Sequence, residues 1–219
     1  CSQHDLAWDC GTGNGQAAVS LAQHFQRVLA TDASAAQIAA ATAHGRVEYR
    51  LAAAQASGLA PASVDLLVVA QALHWFDLER FYAEVRRVLK PTGIVAVWCY
   101  GIVELEGDAA NQLLQHFYHQ VVGPYWPAER EHVETGYRQL PFPFTPIEAP
   151  AFTMQVTWTR AQLMGYLRSW SATGRYQAAQ GVDPVLAFEQ AISSAWGDAE
   201  HARLVSWPLS LRVGRASGG

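Results

Sequence analysis

Short apolar runs alternate with amphipathic segments through the first half of the chain, and this alternation constrains the fold more than any other feature. Five of these runs are predicted to be strands: LAWDC from Leu6, RVLATD from Arg27, VEYRLA from Val47, VDLLVVAQ from Val64 and GIVAVWCY from Gly93. A helix follows the first run, Ser34 opens a second helix that stops near Gly45, and Asp77 caps a third that ends at Lys90-Pro91. The pattern predicts an α/β fold with a Rossmann-like, doubly wound, mostly parallel sheet.

A glycine-rich loop, DCGTGNGQ, runs from Asp9 to Gln16 between the first strand and the first helix. The dinucleotide fingerprint is G-x-G-x-x-G, but here the third glycine comes one residue early and Gln16 stands in its place. Asp9 would repel a pyrophosphate and attract a ligand that carries an ammonium and a sulfonium. S-adenosylmethionine carries both and has no phosphate, so the loop favours this cofactor over NAD.

Asp32 ends the second predicted strand, about 20 residues beyond the first glycine, where a carboxylate can accept hydrogen bonds from a ribose diol. A ribose is present in nicotinamide and adenosyl cofactors alike. Asp32 therefore predicts a nucleoside ligand without choosing between them.

Several segments resemble the motifs of class I S-adenosylmethionine-dependent methyltransferases in order and spacing: DCGTGNG, LATD, SVDLLVVAQALHWFD and VLKPTGIVAVW. The segments QALHWFD, GYRQLPFPF, GYLRSWSATGRY and WPLSLRVGR are similar to the trans-aconitate methyltransferase-like branch, also called methyltransferase type 11. This resemblance covers nearly the whole chain and implies S-adenosylmethionine as cofactor and methyl transfer as the activity.

The resemblance also implies a set of cofactor-binding residues: Asp9, Gly11, Thr12, Gly13, Asp32, Ala33, Ala54, Gln55, Gln71 and Ala72. Asp9 would face the methionine ammonium, Asp32 would hold the ribose hydroxyls, and Gln71 would lie beside the transferable methyl. Ala54 and Gln55 would border the amino edge of adenine. Many relatives carry GDAE there, with an acidic residue, whereas this chain reads AAAQ.

His74 and Gln71 are the catalytic candidates, because methyl transfer asks the protein mainly to hold the acceptor atom about 3 Å from the methyl group and to exclude water. A carboxylate acceptor is already ionised and needs no base. A phenol or amine usually needs one, and His74 could serve. The alternative for His74 is structural: it would satisfy a backbone carbonyl at a strand-to-helix turn.

From Val103 to Pro150 the regular alternation of strands and helices stops. We expect this stretch to be a cap that forms the acceptor pocket with the helix TRAQLMGYLRSW. The expected domains are residues 1–102 (cofactor core), 103–150 (cap) and 151–219 (strands and helices that complete sheet and pocket), with LVSWPLSLRVGR as an antiparallel edge strand. The candidate substrate-binding residues are Trp75, Tyr137, Arg138, Arg168 and Trp170. The arginines would select acids if they converge on one cavity, and are otherwise ordinary surface charges; for Trp75, packing is the commoner role of such an aromatic side chain.

Composition excludes other classes of protein. The net charge of −4 without a basic run gives no sign of nucleic-acid binding, and no apolar run is long enough to span a membrane. The scattered Cys1, Cys10 and Cys99 have neither metal-site nor disulfide spacing, which predicts no metal and favours the reducing cytoplasm. The oligomeric state stays open.

The termini also carry expectations. The chain does not begin with Met and is expected to start downstream of its natural start. The helices that relatives place over the cofactor, before the first strand, would then be missing. Gly218-Gly219 would be a frayed end.

Three functional hypotheses follow. The first is a methyltransferase acting on a small molecule, at a carboxylate oxygen. The second is the same fold acting on a carbon or nitrogen of another metabolite or of a protein. The third is a module that binds the cofactor without activity, against which Asp9, the glycine loop and Asp32 argue.

Overall fold

The structure, a computed structural model, describes residues 1–216 of the 219. The frayed end expected at Gly218-Gly219 lies outside the described residues. The chain divides into two compact units. The core unit comprises Cys1–Cys99, Thr135–Phe152 and the described part of Ser210–Gly219, and the helical unit comprises Tyr100–Glu134 and Thr153–Leu209. Within residues 1–216, no helix combines the length and the apolar character that crossing a membrane requires.

Parallel strands build the central sheet. They are β1 (Leu6–Cys10), β2 (Arg27–Asp32), β3 (Val47–Leu51), β4 (Val64–Ala70) and β5 (Leu89–Tyr100). Their spatial order is β3-β2-β1-β4-β5, and each adjacent pair is parallel. The strand order reverses beside β1, where Asp9 pairs with Ala30 of β2 and Val68 of β4. The carboxyl ends of strands at such a reversal leave a crevice for a ligand.

The sheet ends in antiparallel pairing. The closing strand β9 (Arg203–Arg215) neighbours β5, and in the core unit its end pairs antiparallel with β7 (Thr145–Ile147). In the helical unit, β6 (Glu104–Leu105) pairs antiparallel with the first part of β9. The predicted fold class, a mostly parallel Rossmann-like sheet with an antiparallel edge, is confirmed.

Two helices of the core unit follow their sequence signals. In α1 (Gln16–Leu21), Ala18 is fully buried and packs with strand residues such as Ala7 and Val28. In α3 (Leu78–Val88), Asp77 accepts a hydrogen bond from the Arg80 amide at 3.3 Å. The helix ends before Pro91, which has no amide N–H to continue it.

The second helix, α2, is shorter than its sequence suggested. It spans Ala35–Ala39 rather than reaching Gly45, although Ser34 Oγ does accept a bond from the Gln37 amide. None of its residues is buried. Helices this short gain most of their stability from tertiary packing, so propensity alone does not extend this one.

The helical unit contains α4 (Asp108–His116), α5 (Arg130–Glu134), α6 (Arg160–Arg168), α7 (Ser171–Gln180), α8 (Pro184–Trp196) and most of β8 (Phe152–Trp158). The segment DAANQLLQHFYHQVV forms α4 and continues as a π-helical turn from Phe117 to Val121. The helix predicted for TRAQLMGYLRSW stops at Arg168, and Trp170 lies beyond it, at the N-cap of α7. A buried cluster that includes Leu114, Leu163 and Ile192 holds this unit together.

Candidate functional site

The glycine loop leaves β1 at Cys10 and closes against β2. The amides of Gly11 and Thr12 both donate to the Thr31 carbonyl at 2.9 Å. Gly11 has φ +72°, and a Cβ added there would lie 2.6 Å from the Cβ of Ala72 at the end of β4. Glycine at this position therefore lets the loop approach the neighbouring strand end.

Asp9 lies beneath this loop and is fully buried. Its Oδ2 accepts a hydrogen bond from the Thr12 hydroxyl at 2.6 Å, while Oδ1 is buried and has no hydrogen-bond partner among the described residues. Burial raises the pKa of Asp9 to about 6, and the Thr12 hydroxyl partly opposes that shift. A buried carboxylate oxygen without a donor is costly, so this atom suits a cationic donor supplied by a ligand.

Asp32 is held by the backbone at the end of β2. Its Oδ2 accepts from the Gly13 amide at 2.9 Å and its Oδ1 from the Ser34 amide at 2.8 Å. Each carboxylate oxygen has a further lone pair, so the side chain is oriented and can still accept from a ligand hydroxyl.

A cleft of about 650 Å³ opens in the core unit beside Gly11 and Asp32, whereas Asp9, Thr12, Gly13 and Gln71 are not among the residues that line it. It is lined by Gly11, Asp32, Ala33, Ser34, Ala52, Ala53, Ala54, Gln55, Ala72, Trp75, Phe76 and Asp77. The structure thus brings together most of the predicted cofactor residues: the loop, the end of β2, the segment after β3 and the end of β4. The volume suits a nucleoside-sized ligand.

Gln71 has an unusual backbone conformation, and Trp75 is an exposed aromatic residue in the cleft wall. Gln71 has φ +56°, unusual for a residue other than glycine, and its amide donates to the Trp98 carbonyl at 2.9 Å. Trp75 lines the cleft and leaves 61% of its surface exposed, so the reading of this side chain as core packing is wrong. Strained backbone conformations cluster at active sites and ligand-binding sites.

His74 is hydrogen-bonded to a side chain. Its Nδ1 lies 2.9 Å from the hydroxyl of Tyr137, which is fully buried. The His74 ring also lies 4.7 Å from the ring of Trp75. This histidine is therefore anchored next to the cleft by a residue 63 positions away.

The predicted substrate residues fall in different units. Tyr137 and Arg138 belong to the core unit, whereas Arg168 and Trp170 belong to the helical unit. Arg168 Nε donates to Asp183 at 2.8 Å, so a carboxylate of its own unit balances its charge. Trp170 is buried in the core of the helical unit.

Arg138 lines a second pocket, of about 340 Å³, with Gly136, Ser210, Leu211 and Arg212. Arg212 is not among the site residues predicted from the sequence. Its only local signal is the alternation of apolar and polar residues in the closing strand, which does not identify a ligand. Among the described residues, no group of three or more metal-ligating side chains could hold a metal ion.

A Rossmann-like sheet with a buried acid under the glycine loop and a second acid at the end of β2 defines a nucleoside-binding protein of the α/β class. Residues 8–97 match the family model described as a methyltransferase domain.

Known proteins match more of the chain. A Dictyostelium discoideum protein named as a methyltransferase is 33% identical over 196 residues, which is 89% of this chain and 74% of the relative. A methyltransferase of Aspergillus candidus is 31% identical over 159 residues, 63% of this chain and 50% of the relative. A solved structure from Anaeromyxobacter dehalogenans, described as a type II methyltransferase, has 43% identity and a TM-score of 0.91, covering 97% of this chain and 90% of that one. The chain belongs to the class I S-adenosylmethionine-dependent methyltransferases, and S-adenosylmethionine is its cofactor.

Proposed function

We propose that this enzyme transfers the methyl group to a small organic acid, at a carboxylate oxygen. The observation that carries this proposal is the pocket lined by Arg138 and Arg212 in the core unit. No acidic residue is among its lining residues, and within residues 1–216 neither arginine has a carboxylate at ion-pair distance. Two guanidinium groups without a counter-charge favour an anionic ligand.

Arg212 is held rigidly in that pocket. Its Nη1 donates to the carbonyls of Tyr137 at 2.7 Å and Leu140 at 2.8 Å, and the guanidinium lies 4.6 Å from the centre of the Phe142 ring. Burial lowers the pKa of Arg212, a sign that its charge is poorly solvated. A bound carboxylate would compensate for the solvation that the Arg212 guanidinium loses on burial.

One side chain links the arginine pocket to the wall of the cofactor cleft. Tyr137 lies between Gly136 and Arg138 in the chain, and its hydroxyl contacts His74, next to Trp75 in the cleft wall. Because Tyr137 is fully buried, we propose that it supports His74 rather than contacting the acceptor.

The cofactor roles proposed for the core unit follow from the same geometry. When bound, S-adenosylmethionine supplies a methyl group activated by a sulfonium. The unpartnered Oδ1 of Asp9 would accept from its ammonium, and Asp32 from the ribose hydroxyls. The loop Gly11–Gly13 would border the methionyl part. The adenine would lie near Ala33, Ala54 and Gln55, and Gln71 and Ala72 would border the methyl group.

An acceptor screen tests the proposed function. Wild-type enzyme is incubated with S-adenosylmethionine and small mono- and dicarboxylic acids, phenols or amines, and products are identified by mass spectrometry. We expect methyl esters of acids. Methylation confined to phenols or amines would favour the second candidate, in which His74, anchored by Tyr137, acts as a base.

Arg138→Ala tests the acid contact itself. Losing one charge-assisted hydrogen bond, worth about 1.5–3 kcal/mol, should raise the KM for the acid about tenfold or more and leave the Kd for S-adenosylhomocysteine unchanged. Arg27→Ala, at an exposed arginine at the start of β2, is the control and should alter neither constant. An unaltered KM for Arg138→Ala would contradict the acid-binding role.

A further inference from the structure

One wall of the cofactor cleft is a connection that has almost no packing of its own. Residues 52–63 join β3 to β4 and include Ala52, Ala53, Ala54 and Gln55 of the cleft lining. This stretch, described throughout, contains neither helix nor strand, and Ser57 is its one buried residue. Apolar burial therefore does not hold the wall in place.

Hydrogen bonds to Ser57 replace that packing. The Ser57 amide donates to Glu84 Oε1 at 3.0 Å and its hydroxyl donates to the same oxygen at 2.5 Å. Its carbonyl accepts from Arg50 Nη1 at 3.0 Å, and its Oγ accepts from the Leu59 amide at 3.1 Å. Every polar atom of this residue is in use, two of them toward one carboxylate.

Glu84 is itself locked on α3. Its carboxylate is 8% exposed and accepts from Arg87 Nε at 2.7 Å and Arg87 Nη2 at 2.8 Å. Mainly because of Arg87, the pKa of Glu84 falls to about 2, so the group stays charged at neutral pH. A charged, immobile acceptor makes the bonds to Ser57 strong and directional.

We infer that Glu84, acting through Ser57, is a positioning residue for the adenine side of the cofactor. It anchors the connection three residues from Ala54, so that the wall is ordered before the cofactor binds. A loop without this anchor would have to be ordered during binding, which lowers affinity. The inference rests on the proposed adenine contacts of Ala54 and Gln55.

The test compares two ligands that differ only at the base: S-adenosylhomocysteine and S-inosylhomocysteine, in which hypoxanthine lacks the amino group of adenine. Calorimetry gives the Kd of each for wild type, Ser57→Ala and Glu84→Gln. We expect the Kd for S-adenosylhomocysteine to rise about tenfold in both variants, the loss typical of one charge-assisted hydrogen bond. The Kd for S-inosylhomocysteine divided by the Kd for S-adenosylhomocysteine should fall toward one in both variants. The KM of the acceptor should stay within about twofold of the wild-type value.

Two variants serve as controls. Glu79→Gln changes an exposed carboxylate on the same helix, and Ser63→Ala removes a hydroxyl in the same connection that donates to the Ala60 carbonyl. Both should keep the wild-type ratio. If Glu84→Gln does not fold, Ser57→Ala carries the test, because it leaves the Glu84–Arg87 pair intact.

The outcomes separate two failures. A wild-type ratio near one would mean that this wall does not read adenine, which overturns the proposed contacts of Ala54 and Gln55 and the inference with them. A large wild-type ratio that both variants preserve would overturn the positioning role of Glu84 alone.

Discussion

At the scale of single residues, Asp9 shows a conflict between stability and ligand binding. The side chain is fully buried, one of its oxygens has no donor, and its pKa is raised from 3.8 to about 6. Such a group destabilises the free protein whenever it is ionised. Local conflicts of this kind are expected at functional sites, where a ligand supplies the missing partner.

Asp9→Asn should therefore stabilise the free enzyme and weaken cofactor binding. The pKa of Asp9 is higher in the folded protein than in the unfolded chain, so ionising Asp9 destabilises the folded wild-type enzyme. This destabilisation is absent below about pH 3.8, grows up to about pH 6 and is constant above it. At pH 8 we expect the variant to be more stable by about 1–3 kcal/mol, measured by urea unfolding across this pH range. Its affinity for S-adenosylhomocysteine, which keeps the ammonium, should fall at least tenfold, to about 1.4 kcal/mol weaker binding or worse.

Thr12→Val provides the opposing variant. Because it removes the hydroxyl that donates to Asp9 Oδ2, it should raise the pKa of Asp9 further and lower stability at pH 8. If Asp9→Asn instead bound S-adenosylhomocysteine as tightly as wild type, Asp9 would not be the ammonium partner.

At the scale of elements, the turn from the glycine loop into α1 depends on Gly15. This residue is the N-cap of α1 and has φ +90°. A Cβ added there would lie 2.7 Å from Cε1 of Tyr49 on β3. Tyr49 is further fixed by its hydroxyl, which donates to the Thr42 carbonyl at 2.7 Å.

Gly15→Ala should destabilise the enzyme by about 1–3 kcal/mol, since it adds both backbone strain and a collision with a fixed ring. Gly45→Ala is the matched control, because nothing lies within 4 Å of a Cβ built on Gly45. That substitution should be neutral, or stabilise by about 0.4–1 kcal/mol. Equal urea midpoints for the two variants would show that Gly15 is not constrained in solution.

At the scale of the whole molecule, the cofactor site contributes to stability by linkage. A ligand that binds only the folded form at 100 times its Kd stabilises it by about 2.7 kcal/mol. For a chain of this size, that corresponds to a rise in Tm of about 5–10 °C. We expect this rise with S-adenosylhomocysteine.

NAD should leave the Tm within about 1 °C, because the buried Asp9 disfavours a pyrophosphate beside the glycine loop. Differential scanning fluorimetry and calorimetry measure both ligands. Tighter binding of NAD than of S-adenosylhomocysteine would contradict the interpretation of Asp9 and the shortened glycine motif.

Much of the fold was predictable because its determinants are local. Alternation and helical spacing arise from the backbone geometry of strands and helices, so LAWDC and RVLATD match β1 and β2 residue for residue. The signal for the start of α8, Asp183 as N-cap followed by Pro184 in the first turn, is also local. The cleft lining at Asp32, Ala54, Gln55 and Ala72 was likewise anticipated from motifs.

The sequence by itself therefore determined the order and type of the core elements and the two acids, Asp9 and Asp32, that we propose contact the cofactor. Only the tertiary structure decided that α2, none of whose residues is buried, ends at Ala39, and that Trp75 is exposed. It alone paired His74 with Tyr137 and Ser57 with Glu84, across 63 and 27 positions of sequence. Periodicity reports only which face of an element is apolar. Which distant side chains meet depends on how those faces pack, and that information lies in no single segment of the chain.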